Sequence, residues 1–454
     1  MGCVSHGRRT DAAAVSTGDC KVRADADVNR GVSAIDIQRR LDALWRMESP
    51  TLLGCLLRIT GNINTAEDLA QDVLLAALEH WSCAGVPDNP AAWLMTAAKH
   101  RGIDHVRQRQ LHLRKQDEFG IELTVHGSDM QGDDALRLAD DDIGDDLLRL
   151  LFMSCHPVLP MESRVALTLR LLGGLATADI ARAFLQQEAT VAQRIVRAKR
   201  TLAEKAVSFD APRKAALQER LDAVLEVLYL IFNEGYVATS GEHWMRPELC
   251  EEALRLGRIL AGLLPREPEV FGLLALMELH AARIPARTRA DGALILLDQQ
   301  NRARWDRLQI VRGLQALAHV QRLGGAEGIY ALQAALAACH ARATHFENTD
   351  WPAIAALYAR LMHVAPSPVV ELNRAVAVGR VQGAAVALGI VDALKDDVKL
   401  RDYAPLPAVR GDLLQQLGRL KEAHAEFIHA AALSGNAREC AALLARAENC
   451  VPMG

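Results

Sequence analysis

Apolar residues recur at helical spacing along nearly the whole second half of this chain. LQERLDAVLEVLYLIF, PELCEEALRLGRILAGLL, EVFGLLALMELHAARI, YALQAALAACHARA and WPAIAALYARLMHV follow one another with only short breaks. Half of the residues are hydrophobic but only 4% are aromatic, with Ala and Leu dominant. Such a chain has little with which to fill the faces of a sheet, and it favours helices packed on helices. Its 454 residues are enough for two or three domains with sizeable cores. The expected fold class is therefore all-α.

The most distinctive local stretch runs from Asn62 to Gln110. Thr65 followed by Asp68 has the Ser/Thr-x-x-acid form of a helix start, in which side chains satisfy free amide groups. Leu69, Val73, Ala76 and His80 then share one helical face, while Glu67 and Gln71, beside Asp68 and Asp72, share another. Trp81 is expected to end this helix, and Gly85, Pro87 and Pro90 mark a loop. A second helix starts near Pro90 and becomes basic. Between Ala97 and Lys115 stand Lys99, Arg101, Arg107, Arg109, Arg114 and Lys115 against a single acid, Asp104. An acidic helix joined by a short loop to a basic one points to two partners of opposite charge.

Composition then reverses. From Gln116 to Asp146 there are eleven acids and one base, Arg137. Such a segment repels itself and extends, as a linker does. Beyond it, LLRLLFMSCHPVL and SRVALTLRLLGGL read as helices, with Gly173-Gly174 as a break. ATADIARAF, a turn at Leu185–Gln187 and EATVAQRIVRAKRTL then have the layout of a helix-turn-helix. In its last helix Val191, Ile195, Ala198 and Leu202 form the apolar face. Thr190, Gln193, Arg194, Arg197 and Arg200 lie opposite, with Lys199 beside them. A helix read in the major groove needs this order, with its first side chains near base edges and its later arginines near phosphates.

These residues carry a resemblance. AEDLAQD, GVPDNPAAWL and the basic helix with Asp104 and Arg107 resemble region 2 of bacterial sigma factors of the extracytoplasmic-function (ECF) type. LTLRLLGGLATADIARAF with AQRIVRAKR resembles region 4 of the same family, and the two occur in the family's order with a linker between them. The resemblance implies that Glu67, Asp68, Gln71 and Asp72 face core RNA polymerase. It implies that Asn89, Trp93, Lys99, His100, Arg101, Asp104 and Arg107 line or support promoter DNA at the minus-ten element. The helix bearing Thr190 to Arg200 would read the minus-thirty-five element. His100 stands where the pattern has Asn, and Gln108 interrupts its Arg pair; both bear on base preference. In the family the linker follows the RNA exit path, so the acidic run reads either as a nucleic-acid mimic there or as a solvated tether.

The remaining residues exceed a minimal ECF factor. GRVQGAAVAL from Gly379 aligns with GRLKEAHAEF from Gly418, an offset of 418 − 379 = 39, with Ala384 and Ala423 followed by Leu388 and Phe427. Ala-x-x-x-Phe after a Gly turn is a packing signature of tetratricopeptide (TPR)-like repeats. An ECF branch with a long TPR-like C-terminal extension has marks resembling LYLIFNEGYVATSGE, DGALILLDQQNRARWD, Thr349–Trp351 and SPVVELNRAVAV. Gly235 is expected to cap a helix in the left-handed conformation. Arg302, Arg304 and Trp305 read as an anchor for a partner or, more simply, Trp305 as core.

The expected organisation is a disordered arm over residues 1–33, region 2 over 34–115 and an acidic linker over 116–145. Region 4 follows over 146–208, and a helical extension over 209–454. With no flexible linker before it, the extension is expected to pack close to region 4 and to clamp it. Nine scattered cysteines with no C-x-x-C pair suit a reducing cytoplasm and indicate no metal or other cofactor. Cys155-His156 reads as a core thiol beside a capping imidazole rather than as a metal site. No apolar run reaches the ~18 residues that span a bilayer, so no membrane partner is expected. The expected partners are core polymerase, promoter DNA and a protein or small-molecule regulator acting on the extension. Two other readings stay in view. One is a polymerase-independent helix-turn-helix regulator with a sensing domain, which would have no need of the acidic helix. The other is an enzyme in the C-terminal half, where no clustered ligands or nucleophile constellation appears.

Overall fold

The computed structural model describes residues 34–117, 143–184, 186–209, 214–237, 245–289 and 295–450. The arm over 1–33 and most of the acidic linker lie outside the described residues. Among the described residues the chain is a succession of α-helices without a β-strand, as the composition leads one to expect.

Three helices form the first unit: α1 (Ala34–Thr60), α2 (Ile63–Ala84) and α3 (Pro90–Asp117). α1 is continuous, with Pro50 inside it. α2 starts earlier than Thr65. Asn62 is the cap, its Oδ1 accepting the amides of Asn64 and Thr65 at 2.9 and 3.1 Å. The buried face of α2 is also rotated from the expected one. It consists of Ala66, Ala70, Val73, Ala77 and Trp81, while His80 is exposed. Trp81 does not end the helix; it is its fully buried anchor, and Gly85 at φ 85° turns the chain four residues later.

The second unit contains α4 (Ile143–Ser154), α5 (Met161–Leu171), α6 (Thr177–Ala183) and α7 (Glu188–Glu204). α4 begins three residues before the expected boundary at 146, taking in the end of the stretch read as linker. The Asp146 carboxylate is buried and meets Arg58 of α1 at 2.9 Å. α1 can approach this closely because position 54 is Gly, where a Cβ would lie 3.1 Å from Asp146 Cβ. Gly174 at φ 63° makes the turn after α5. Val191, Ile195, Ala198 and Leu202 of α7 are buried, the face that the spacing predicts.

The extension runs through α8 (Lys214–Tyr236), α9 (Pro247–Leu263), α10 (Pro268–Ala281), α11 (Arg307–Arg322), α12 (Ile329–Arg342), α13 (Trp351–Val364), α14 (Pro368–Gln382), α15 (Ala384–Ala393), α16 (Pro405–Gln416), α17 (Leu420–Leu433) and α18 (Ala437–Glu448). Successive helices pack as neighbours, the arrangement of a helical repeat array. Gly235 is not a left-handed cap: α8 continues through it to Tyr236. A Cβ there would come within 2.7 Å of Cys250 N, so glycine is needed for the approach of α9. The internal repeat is present with a shifted phase. Gly383 and Gly418 make the turns, and the matching buried alanines are Ala387 and Ala423, 423 − 387 = 36 positions apart. Four residues beyond each, Val391 and Phe427 are buried.

The units are not separate bodies. One core of buried apolar side chains runs from Leu56 in α1 through Phe152 and Leu167 to Ile231 in α8 and Met277 in α10. The extension thus packs close to the second unit, as its short connection predicts. Trp305 is core, 3% exposed, and Arg302 is buried beneath it, donating to the carbonyls of His340 and Ala343 and to Thr349 Oγ1. Neither is a surface anchor, because the Arg spends its donors on backbone at the end of α12; Arg304 alone of the three is exposed.

Candidate nucleic-acid interface

α2 presents Asp68, Gln71 and Asp72 to solvent. Leu75, 56% exposed, and Glu79 continue the same strip one and two turns on. Sequence reasoning missed Leu75. Its signal is an apolar residue standing off the Ala66–Ala70–Val73–Ala77 stripe, where folding alone gives it no reason to be. Glu67 does not belong to the open strip. Its carboxylate pairs with Lys199 Nζ of α7, the two side chains being 15% and 13% exposed. Asp72 is 3.9 Å from Arg101 of α3, which ties the acidic helix to the basic one.

On α3, His100, Asp104 and Arg107 are exposed, and Arg107 lies 3.9 Å from Asp104 one turn away. Lys99 and Arg101 are partly covered. Two of the expected DNA-side residues are engaged within the fold. Asn89 Oδ1 accepts the Ala92 amide at 3.1 Å and caps α3. Trp93 is half-buried, stacked on His80 at 5.6 Å and set edge-on to Trp81. Both help to position the start of the basic helix, Asn89 from an exposed site.

The helix-turn-helix is formed by α6 and α7. On α7, Thr190, Gln193, Arg197 and Arg200 are exposed on one side, joined by Val196 at 64%. Arg200 donates to Glu204 one turn on at 2.6 Å. Arg194 is partly covered and donates to Gln186 Oε1 at 2.8 Å, so it holds the turn between the two helices. Lys199 faces the first unit rather than DNA. No spacing rule reveals this pair, since its members are 132 positions apart.

Cys155 and His156 are structural. The Cys155 thiol is buried 3.3 Å from Thr168 Oγ1, and burial pushes it up to about 11 despite that hydrogen bond. His156 Nδ1 accepts the Val158 amide at 3.1 Å. Partial burial, with Arg220 and Arg164 nearby, lowers its pKa to about 4. Among the described residues no group of three or more His, Cys, Asp or Glu is placed to hold a metal ion. No helix among them is long and apolar enough to cross a membrane.

The extension meets the helix-turn-helix unit at its back. Arg220 of α8 donates to Phe152 O at 2.7 Å, and Arg255 of α9 donates to Leu172 O. Phe152 lies in the last turn of α4 and Leu172 is the residue that caps the end of α5, where no intrahelical donor remains. The exposed side of α7 is left open.

Comparison with known proteins agrees with this geometry. Residues 44–112 match the family Sigma-70 region 2, and residues 149–202 match Sigma-70, region 4. Residues 220–321 match a family of unknown function (DUF6596). An uncharacterized protein of Rhizobium meliloti is 43% identical over 392 residues, which is 86% of this chain and 91% of the relative. The ECF RNA polymerase sigma factor SigL of Mycobacterium tuberculosis is 31% identical over 161 residues, 35% of this chain and 85% of that protein. The ECF RNA polymerase sigma factor BldN of Streptomyces coelicolor is 26% identical over 186 residues, 40% of this chain and 67% of that protein.

Proposed function

Because the chain belongs to the ECF family of RNA polymerase sigma factors, with a long extension after region 4, we propose a division of labour among its surfaces. The strip of Asp68, Gln71, Asp72 and Leu75 docks on core polymerase. α3 and the loop before it capture unstacked bases of the minus-ten element, and the exposed side of α7 reads the minus-thirty-five element. The observation that carries this reading is one chain holding an exposed acidic helix, a basic helix and a basic helix-turn-helix in the family's order. The chain has no active site in this scheme; polymerase performs the chemistry, in the cytoplasm. The extension modulates activity by bracing region 4 from behind, which the Arg220 and Arg255 contacts support.

α7 offers a direct test. Arg200→Ala is expected to weaken all promoters alike and to lower the salt slope of binding by about one. Gln193→Ala is expected to relax one promoter position by ~1–3 kcal/mol. A promoter library in which both variants show the same profile would end this assignment.

The Glu67–Lys199 pair supports a second element of the scheme. It clasps the recognition helix of region 4 to the docking helix of region 2, over a core that the two regions share, and in this scheme it is the contact that loosens on polymerase. A partly buried pair of this kind contributes about 1 kcal/mol, or ~5-fold, to holding the two helices together. Lys199→Gln leaves the docking strip intact and is expected to speed association with core several-fold. Unchanged association kinetics would mean that the clasp does not gate binding.

A further inference from the structure

A cavity of about 550 Å³ lies within the extension, between α8, α10, α12, α13 and α14, away from every surface assigned above. Its size falls in the range of small-molecule sites, which run to roughly 300–1,000 Å³. One wall is apolar and aromatic: Tyr229 and Phe232 of α8, Leu336 of α12, and Tyr358 and Leu361 of α13. The other carries polar groups left without a use. Tyr236 is 8% exposed, yet its Oη has no hydrogen-bond partner among the described residues. His280 and His340 also line the cavity, and their Nδ1 atoms are buried and without a partner among the described residues. Buried polar atoms are rarely left so, and three on one cavity require an explanation.

Charge decides what would satisfy them. Arg283 lines the cavity, and no Asp or Glu does among the described residues. Arg287 lies over the Tyr236 ring at 3.7 Å, and Arg302 donates to the His340 carbonyl. Burial lowers the pKa of His280 to about 3 and that of His340 to about 4, and the charges acting on both imidazoles are cations. Both rings are therefore neutral at pH 7 and able to donate or accept hydrogen bonds in a field to which Arg283, Arg287 and Arg302 contribute.

We infer that this cavity binds a small amphipathic organic anion. Its carboxylate or similar acidic head sits among Arg283, His280, His340 and Tyr236, and its aromatic or aliphatic body lies along Tyr229, Phe232 and Tyr358. α8 forms one wall of the cavity and also supplies Arg220 and Leu230 to the back of region 4, so an occupant would touch the helix that braces that region.

The test is fluorescence titration of the full chain with a matched pair of probes. Anilinonaphthalene sulfonate has an aromatic body and an anionic head, and phenylnaphthylamine has the same body without the charge. The expected result is saturable uptake of the sulfonate at one site per chain. Arg283→Gln should weaken the sulfonate about tenfold and the neutral probe less than about twofold, the loss of one charge-assisted hydrogen bond. Ala337→Phe, which fills the cavity from α12, should abolish uptake of both, with folding checked by circular dichroism. If that variant does not fold, the comparison of the two probes on Arg283→Gln still decides. Non-saturable uptake, equal losses of both probes on Arg283→Gln, or full binding to a folded Ala337→Phe would each overturn the proposal.

Discussion

Reversing Asp68 and Asp72 to Lys is expected to abolish capture of core RNA polymerase while leaving the protein folded. Both side chains are exposed on the outer side of α2, opposite the buried Ala66–Ala70–Val73–Ala77–Trp81 stripe, so neither takes part in the core. Exposed substitutions away from such features usually change stability by no more than about 0.5 kcal/mol. Within the fold the reversal breaks the 3.9 Å approach of Asp72 to Arg101, and an exposed pair of that length contributes ~1 kcal/mol or less. At the docking surface the effect is larger, because two attractive charges become two repulsive ones. Like-charge juxtaposition across an interface costs several kcal/mol, which is ~100-fold or more in affinity. The check is a pull-down of core by wild type and variant, with thermal unfolding measured alongside. Undiminished capture by a folded variant would remove α2 as the docking element. Leu75→Ala, on the same strip, should weaken capture without a charge effect.

The double substitution Arg220→Ala, Arg255→Ala is expected to produce the largest loss of promoter activity obtainable from outside regions 2 and 4. Each guanidinium donates to a carbonyl at the C-terminal end of a region 4 helix, where a cation is also favoured by the helix dipole. Hydrogen bonds to charged groups contribute ~1.5–3 kcal/mol each, so the pair braces region 4 by ~3–6 kcal/mol. The variant should still bind core through α2, but should fail at promoters that depend on the minus-thirty-five element. Normal transcription from such promoters would show that the extension does not act through this seam. Truncation at Ser208 is a poorer test of this seam. The cut would open the core shared by Phe152, Leu167 and Ile231, and so confound bracing with loss of cover.

How far the sequence can be read depends on how locally each feature is encoded. The buried face of α7 is legible because Val191, Ile195, Ala198 and Leu202 share one stripe of a helix whose other large side chains, Val196 apart, are polar. The face of α2 is harder to phase because Ala and Leu surround that helix, and periodicity alone cannot rank them. Burial of the bulkiest residue, Trp81, sets the phase. Asn62 and Thr65 are both good caps, and the choice between them rests on where the preceding chain leaves α1. Gly235 illustrates the same limit. A glycine near a helix end reads as a cap, whereas here it admits the backbone of α9.

Interactions between distant segments are beyond the reach of local patterns. The pairs Glu67–Lys199 and Arg58–Asp146 join the two halves of the sigma pattern, yet within their own segments Glu67, Lys199 and Asp146 read as docking, DNA-binding and linker-edge residues. The cavity of the extension assembles Tyr236, His280 and His340 from three helices, and no local pattern marks it. Where sequence and structure differ, tertiary packing has overridden local preference.

Reconstituted initiation tests the central claim most directly: purified core polymerase, this chain and a library of linear promoters, with permanganate footprinting of the transcribed templates. The predicted result is start-site-specific transcripts only when the chain is present, with reactive thymines at the minus-ten element and none when the Asp68, Asp72 double reversal replaces it. The contradicting result is a chain that binds promoter DNA equally well with or without core and opens none of it.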